Sequence, residues 1–90
     1  VPHSGQLAEG GIVEQTEQVI KNLGAVLEAA GSGLDKVIKT TCFLTDMGDF
    51  AAFNEVYARY FVSKPARSTI AVKALPKNAS IEIELIAYRD

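Results

Sequence analysis

The chain is poor in the residues that most often build disulfides, metal sites and membrane spans. It has no tryptophan, one cysteine (Cys42) and one histidine (His3), so it cannot form an internal disulfide, and these two side chains do not make a metal-ligand set. No apolar run approaches the roughly 20 residues of a membrane-spanning helix. Nine basic residues against eleven acidic ones give a formal net charge of −2. This charge supplies no positive field for nucleic acid or an anionic membrane, so neither is expected as a partner.

The composition that remains is that of one small globular domain. Hydrophobic residues make up 48% of the 90 residues and charged residues 22%, which is typical of a folded chain. A chain of this length fits a single domain, and such a domain buries only about 60–65% of its unfolded surface. Any apolar face left uncovered within the chain would therefore need a partner.

The hydrophobic spacing predicts an α+β domain with the order helix, strand, helix, strand, strand. Apolar residues recur at steps of three and four up to Ala30, and Gly31 follows, which predicts a first helix over Ile12–Ala30. Later runs rich in β-branched residues predict strands, and Pro65 ends a second helical pattern. The predicted later elements are a strand over Leu34–Thr45, a helix from Phe50 to about Phe61, a strand over Ala66–Ala74 and a strand over Ser80–Tyr88.

Both faces of the predicted sheet are largely apolar. Alternation along the third strand places Ile81, Ile83 and Leu85 on one face, and Glu82, Glu84, Ile86 and Tyr88 on the other. Along the first strand it separates Val37 and Phe43 from Ile38, Cys42 and Leu44. Two helices can cover one face of a small sheet, so the other face needs another subunit or further chain. We therefore expect an oligomer.

Two charged residues inside apolar strands are the best candidates for chemistry. Arg67 lies in the second strand and Glu82 in the third. Arginine offers a planar fork of donors that matches a carboxylate, and a half-buried glutamate can hold or activate a water. A structural salt bridge, or solvated charges on strand faces, would place the same residue types there, and the pattern leaves both interpretations open. The sequence favours a small core residue for Cys42 and a solvated loop residue for His3.

Several separated motifs carry a family resemblance that runs from Val1 to Asp90. In chain order they are Lys21-Asn22-Leu23, Ala29-Ala30-Gly31, Val37-Ile38-Lys39-Thr40-Thr41, Leu44 with Asp46, Asp49-Phe50 with Asn54 and Tyr57, Lys64-Pro65-Ala66-Arg67-Ser68, Ala74-Leu75-Pro76 and Ile81-Glu82-Ile83-Glu84. Together they resemble the RidA family (YjgF, reactive intermediate deaminases). The resemblance implies a chorismate-mutase-like (YjgF-like) α+β sheet with two helices on one face.

The resemblance also implies an enzyme that detoxifies reactive intermediates. Family members hydrolyse 2-imino acids and their enamine tautomers, such as 2-iminopropanoate and 2-iminobutanoate, to 2-keto acids and ammonia, without a metal or cofactor. Arg67 matches the family's substrate-carboxylate arginine, and Glu82 matches the glutamate that positions the hydrolytic water. Phe50 and Asn54 match pocket residues contributed at a subunit boundary. Thr69 stands where many members have cysteine, so its backbone is the expected substrate contact and a thiol role is excluded.

The family resemblance further implies an assembly and a location. We expect a homotrimer with sheets packed inward and sites in the clefts between subunits, in the cytoplasm or the mitochondrion. Family members have additional N-terminal strands, so we expect residues 1–90 to form a single RidA-like domain that is incomplete at its N-terminus and trimerises poorly. The pocket's Ser-Gly-Gln strand end is expected in the absent part. Ser4-Gly5-Gln6, in the turn before the first helix, is therefore given no pocket role.

Two other functions are consistent with the sequence. A non-catalytic module could use the same arginine to bind or sense a 2-keto acid or another small carboxylate. Ribonuclease activity or inhibition of translation is associated with some family members, but the acidic net charge and the lack of a basic stripe count against it.

Overall fold

The computed structural model describes residues 11–89, which form two helices and a three-stranded sheet. The elements are α1 (Ile12–Ala29), β1 (Val37–Leu44), α2 (Phe50–Tyr60), β2 (Ala66–Ala71) and β3 (Ile81–Ala87). The predicted element order and the α+β class are confirmed. The turn-rich segment before α1, with His3 and Ser4-Gly5-Gln6, lies outside the described residues, so the interpretations placed there stay predictions.

All three strands are shorter than the sequence suggested, β3 by one residue at each end. Residues Leu34–Lys36 form a 3-10 turn before β1, because the amide of Lys36 donates to the carbonyl of Gly33 at 3.0 Å. β2 ends at Ala71, and a second 3-10 turn over Pro76–Asn78 leads into β3. Helix boundaries agree closely with prediction. Gly31 has a φ of +82°, and the left-handed residue that ends α1 is therefore a glycine, as the sequence indicated.

The sheet has the order β2-β1-β3, with β1 in the centre. β1 and β2 run parallel and are joined through α2, whereas β1 and β3 are antiparallel. The parallel register places Thr40 opposite Arg67 and Cys42 opposite Thr69. The antiparallel register places Phe43 opposite Glu82. These pairings decide which face each candidate site residue occupies.

Both helices pack on one face of the sheet and enclose the core there. The fully buried side chains of this core are Ile20 from α1, Phe53 and Val56 from α2, and Cys42 and Leu44 from β1. Ile81 and Ile83 of β3 close the same layer. Cys42 is therefore a small core residue, as predicted. Burial of these side chains contributes the main stabilising term, at roughly 25 cal/mol per Å² of apolar surface removed from water.

The predicted division of β1 between the two faces is wrong at its first two residues. Ile38 has no partner on β3, because the register shifts by one between Val37 and Lys39, which makes a β-bulge. Val37 is therefore buried on the helix side at 3% exposure, and Ile38 is 54% exposed. Beyond the bulge, the predicted alternation holds for Cys42 and Leu44. Simple period-two counting fails here because one extra residue reverses every earlier side chain.

The second face of the sheet carries apolar side chains with no helix over them, as predicted. Within residues 11–89, nothing covers Ile70 at 47% exposure or Ile86 at 57%. We call this surface the open face, formed by Ile38, Lys39, Thr41, Phe43, Ser68, Ile70, Glu82, Glu84 and Ile86. The oligomer expected to cover it stays a prediction.

None of the helices in the described part is long and apolar enough to span a bilayer.

Candidate carboxylate-binding site

Arg67 lies on the helix side of edge strand β2, where α2 forms a cradle for its guanidinium. Arg67 Nη1 donates a hydrogen bond to Asn54 Oδ1 at 2.5 Å. The guanidinium carbon lies 4.7 Å from the centre of the Tyr57 ring and 5.5 Å from that of Phe50. Phe50, Asn54 and Tyr57 share one side of α2 because they are spaced by four and three residues. Both aromatic contacts fall within the roughly 6 Å range of cation–π attraction.

The inner wall of the cradle is held by buried contacts. Tyr57 is 6% exposed, and its hydroxyl lies 2.6 Å from Oγ1 of the fully buried Thr40. The Tyr57 ring stacks on Phe61 with centres 4.4 Å apart and is tilted against Phe53 at 5.6 Å. Burial raises the pKa of the Tyr57 hydroxyl above its ordinary value of 10.0. Tyr57 therefore stays neutral and hydrogen-bonded at physiological pH.

Among residues 11–89, no carboxylate lies beside the positive charge of Arg67. Arg59 and Glu17 form an ion pair at 3.8 Å on the outer side of the helices, and no described carboxylate pairs with Arg67. One of the five guanidinium N–H groups is used by Asn54, and the side chain is exposed. An arginine held in this way can present its remaining donors to an external anion, and a carboxylate matches the geometry of the fork.

A cleft of about 620 Å³ opens beside the guanidinium. Its lining includes the apolar residues Phe61 and Pro65 and the polar or charged residues Asn54, Tyr57, Lys64 and Arg67. This combination of apolar walls and a few convergent polar groups is typical of small-molecule sites, and the size is ample for a small carboxylate. The described lining contains no acidic residue.

Thr69, two residues after Arg67, lies on the same side of β2, but its hydroxyl group is buried. It is paired in register with Cys42, and its hydroxyl oxygen is buried without a hydrogen bond to any described residue. The Thr69 hydroxyl therefore lies below the cleft rather than on its surface. Burial also raises the pKa of the Cys42 thiol, so this residue is no thiolate nucleophile at neutral pH.

Glu82 is not brought to Arg67 within one chain. Its neighbours Ile81 and Ile83 are buried under the helices, so Glu82 points to the open face, while Arg67 points to the helix side. The register adds a separation of two strands and three residues between them, roughly 14 Å from about 4.8 Å per strand and about 3.3 Å per residue. An intramolecular salt bridge between Arg67 and Glu82, one of the two interpretations left open by the sequence, is therefore excluded.

The site contains two residues whose part in it the sequence reasoning missed. Tyr57 and Thr40 occur in the sequence motifs, but the sequence predicts no role in the site for either of them. The available signal was the spacing of Phe50, Asn54 and Tyr57 on one side of a helix. The register that sets Thr40 beside Arg67 could not be read from the sequence.

Within residues 11–89 there is no group of three or more His, Cys, Asp or Glu side chains that could hold a metal ion.

A small α+β domain with a mixed sheet, and with an arginine beside an open cleft, has the features typical of small-molecule-binding proteins. Comparison with known proteins narrows this class. A family model described as endoribonuclease L-PSP matches residues 1–89. The chain therefore belongs to this family, which is the RidA/YjgF family that its motifs resemble.

Individual relatives are similar over nearly all of the chain. A RutC family protein from Pyrococcus horikoshii is 54% identical over 99% of this chain and 71% of its own length. A mouse protein named 2-iminobutanoate/2-iminopropanoate deaminase is 52% identical over 98% of this chain, which spans 66% of the mouse protein. The crystal structure of the yeast protein YEO7 matches with a TM-score of 0.91 and 51% identity, covering 94% of this chain and 69% of that one.

Proposed function

We propose that the protein hydrolyses 2-imino acids to 2-keto acids and ammonia, with Arg67 binding the substrate carboxylate. The observation that carries this proposal is the guanidinium of Arg67, which is held by Asn54 and two aromatic rings, has no described carboxylate beside it and faces an open cleft. A family that includes a mouse protein named as a 2-iminobutanoate/2-iminopropanoate deaminase supports the same substrate class.

The proposed reaction needs little from the protein beyond placement and one base. Arg67 holds the carboxylate, so that the adjacent imine carbon has a fixed position in the cleft. Glu82 takes a proton from a water, whose oxygen adds to that carbon and gives a carbinolamine. That proton passes to the imine nitrogen and completes the carbinolamine. Glu82 then takes the proton of the new hydroxyl group and gives it to the nitrogen, the carbon–nitrogen bond breaks, and ammonia leaves as the carbon–oxygen double bond forms. A positioned general base of this kind contributes about 10²–10⁴-fold.

Because Arg67 and Glu82 face opposite sides of the sheet, the proposed reaction needs a site built from two subunits. We propose that Glu82 acts on a substrate bound by Arg67 of a neighbouring copy, with Phe50 and Asn54 on the arginine side. The partly buried Glu82 lies on the open face, among apolar residues such as Ile86 that a second copy could cover. A homotrimer with sites between subunits meets this requirement.

A coupled assay tests the role of Arg67. A threonine dehydratase that uses pyridoxal phosphate generates 2-iminobutanoate, and formation of 2-oxobutanoate is followed with and without the protein. Arg67→Ala is expected to lower kcat/KM by about 10–100-fold, because a hydrogen-bonded charge contact contributes roughly 1.5–3 kcal/mol. Arg59→Ala, which removes an exposed arginine of α2, is the matched control and is expected to retain parental activity. Unchanged turnover in folded Arg67→Ala protein would refute the proposed role.

A carboxylate-binding module without catalysis is the second candidate. It is favoured by one observation: a single chain holds the complete arginine cradle but keeps Glu82 on the other face of the sheet. Glu82→Gln separates the two functions. The enzyme hypothesis predicts lost turnover with retained binding of 2-oxobutanoate, whereas the binding hypothesis predicts no turnover in the parent protein and unchanged affinity in the variant.

A further inference from the structure

Beneath Arg67 lies an aromatic ring that neither the sequence motifs nor the proposed reaction assigns a role. We propose that Tyr57 is a positioning residue, which holds the guanidinium of Arg67 in one orientation for the incoming carboxylate, and that Thr40 is one of several residues that hold the Tyr57 ring. This inference rests on the proposed function only for the identity of the ligand. The geometry that carries it is present without any ligand.

The position of Arg67 explains why it needs such support. It lies on an edge strand with an exposed side chain, and a free arginine populates many rotamers that a bound carboxylate would have to order. A bidentate contact requires the guanidinium plane to be fixed as well as its charge. Asn54 holds one edge of that plane through Nη1, but a single hydrogen bond still allows rotation about it. The nearby face of Tyr57, 4.7 Å away, restricts this rotation.

The Tyr57 ring is itself held on several sides. Its hydroxyl and that of Thr40 lie 2.6 Å apart in a buried hydrogen bond, and Phe53 and Phe61 pack against the ring. Thr40 is also the register partner of Arg67, so the anchor of the ring sits beside the backbone that carries the arginine. The strand pairing therefore links the base of the arginine side chain to the ring that supports its end.

The alternative is that Tyr57 is an ordinary core residue, and the two interpretations differ in what they predict for Arg67. If Tyr57 only fills space, replacing it lowers the stability of the domain. The order of the guanidinium then changes no more than it does when another core residue is replaced. If Tyr57 positions Arg67, replacing the ring releases the guanidinium specifically. Phe53 provides the matched control, because it is fully buried in the same aromatic row and contacts Tyr57, with no recorded contact to Arg67.

Nitrogen-15 NMR relaxation of the Arg67 Nε–H group measures this order directly in the protein without ligand. The parent protein is expected to show an ordered Nε–H signal, which Arg67→Lys assigns by its disappearance. Tyr57→Leu is expected to make this group mobile on the nanosecond scale, Tyr57→Phe to keep it largely ordered because the ring face remains, and Phe53→Leu to leave it ordered. An equally ordered Arg67 in folded Tyr57→Leu protein would overturn the proposal, as would an equal loss of order in Phe53→Leu.

Titration with 2-oxobutanoate gives the functional consequence. Tyr57→Leu is expected to raise the Kd about tenfold, as for loss of a partly desolvated cation–π contact, and Tyr57→Phe to stay within about threefold of the parent. If the proposed function is correct, the same Tyr57→Leu change appears mainly in KM, with kcat less affected. A parent protein that does not bind 2-oxobutanoate would refute the proposed function, while the NMR measurement would still decide the role of Tyr57.

Fluorinated rings provide a second test that does not depend on how well Tyr57→Leu folds. Replacing Tyr57 with phenylalanine that carries one, two or three ring fluorines weakens the negative potential of the ring face with little change in size. The proposal predicts a stepwise loss of Arg67 order along this series. A flat response across the series, in proteins of equal stability, would contradict it.

Discussion

The two faces of the sheet both carry apolar side chains, but they differ in how deeply these side chains are buried. On the helix side, β1 and β3 place Leu44 and Ile83 in a core where almost nothing is exposed. On the open face, Ile86 and Ile70 are about half exposed and lie among charged residues. The helix side is complete within the described chain, whereas the open face has the composition of a surface that a partner covers. A family resemblance alone would not have separated these two roles.

The same difference divides the candidate site. Arg67 and its cradle belong to the helix side, where α2 supplies the hydrogen bond and the two ring contacts of the guanidinium. Glu82 lies on the open face, and within one described chain it does not come close to Arg67. The proposed carboxylate-binding and water-activating residues therefore lie on opposite faces of the sheet, and we propose that a second copy of the chain brings them together. This separation is the central claim of our account.

The sharpest contrast between the faces is expected from two lysine substitutions in β3. Ile83→Lys places an ammonium group in the core and is expected to abolish cooperative folding, or to cost more than about 4 kcal/mol. Ile86→Lys, three residues further on and 57% exposed, is expected to change the stability of the single chain by about 0.5 kcal/mol or less. Chemical denaturation at concentrations where the parent is monomeric measures both. Similar losses in the two variants would break the comparison.

A smaller loss of stability is expected when the buried hydroxyl pair of Thr40 and Tyr57 is changed. Thr40→Val and Tyr57→Phe each leave one buried hydroxyl without its partner, at a cost of about 1–3 kcal/mol. The double variant removes both hydroxyls and should cost less than the sum of the two single changes. Tyr60→Phe on the same helix is the control and should cost about 0.5 kcal/mol or less. Strict additivity of the two changes would show that the hydroxyls are not coupled.

Alkaline pH should lower the stability of the fold through two buried groups on the helix side. Burial raises the pKa of Cys42 above 9.0 and that of Tyr57 above 10.0 in the folded chain. The folded state then holds protons that the unfolded chain releases, so its stability is fully present below pH 9 and falls as the pH rises above it. Thermal unfolding between pH 7 and 11 measures this slope, and Cys42→Ala should make it shallower from pH 9. A stability that rises over this range would contradict the assignment.

The smallest loss of stability is expected when the ion pair on the outer surface of the helices is removed. Arg59 and Glu17 form an ion pair at 3.8 Å, with their side chains 59% and 32% exposed. An exposed pair of this kind contributes little, so Arg59→Ala should lower the stability by about 0.5 kcal/mol or less. Equilibrium denaturation in low and high salt checks this, with Glu17→Gln as the reciprocal variant. A loss above about 1 kcal/mol would indicate that this pair stabilises α1 against α2.

Much of the fold could be predicted because its signals are local. The spacing of α1, the glycine that ends it and the alternation of β3 each follow from a few neighbouring residues. The bulge at Ile38 could not be predicted, because it arises from pairing with β3, more than forty residues away in the chain. The strand order, which separates Arg67 from Glu82, depends on non-local pairing in the same way.

The candidate site was predictable residue by residue but not as an arrangement. Arg67 and Glu82 stand out in the sequence because charged side chains interrupt apolar strands. Their face and distance depend on register, and register is set by the whole sheet. The contribution of Tyr57 was hidden for a related reason, since an aromatic residue at helical spacing most often belongs to the core. In this protein Tyr57 is a core residue that also supports Arg67.

Mixing two inactive variants tests the central claim most directly. Arg67→Ala and Glu82→Gln proteins are each expected to have lost turnover of 2-iminobutanoate, and they are unfolded together, refolded together and assayed. If each site takes Arg67 from one copy and Glu82 from its neighbour, random assembly restores about one quarter of the parental activity, because half of the copies supply each intact residue. Activity in the mixture no higher than in the two separate variants, with an active parent and verified mixed assembly, would contradict the account.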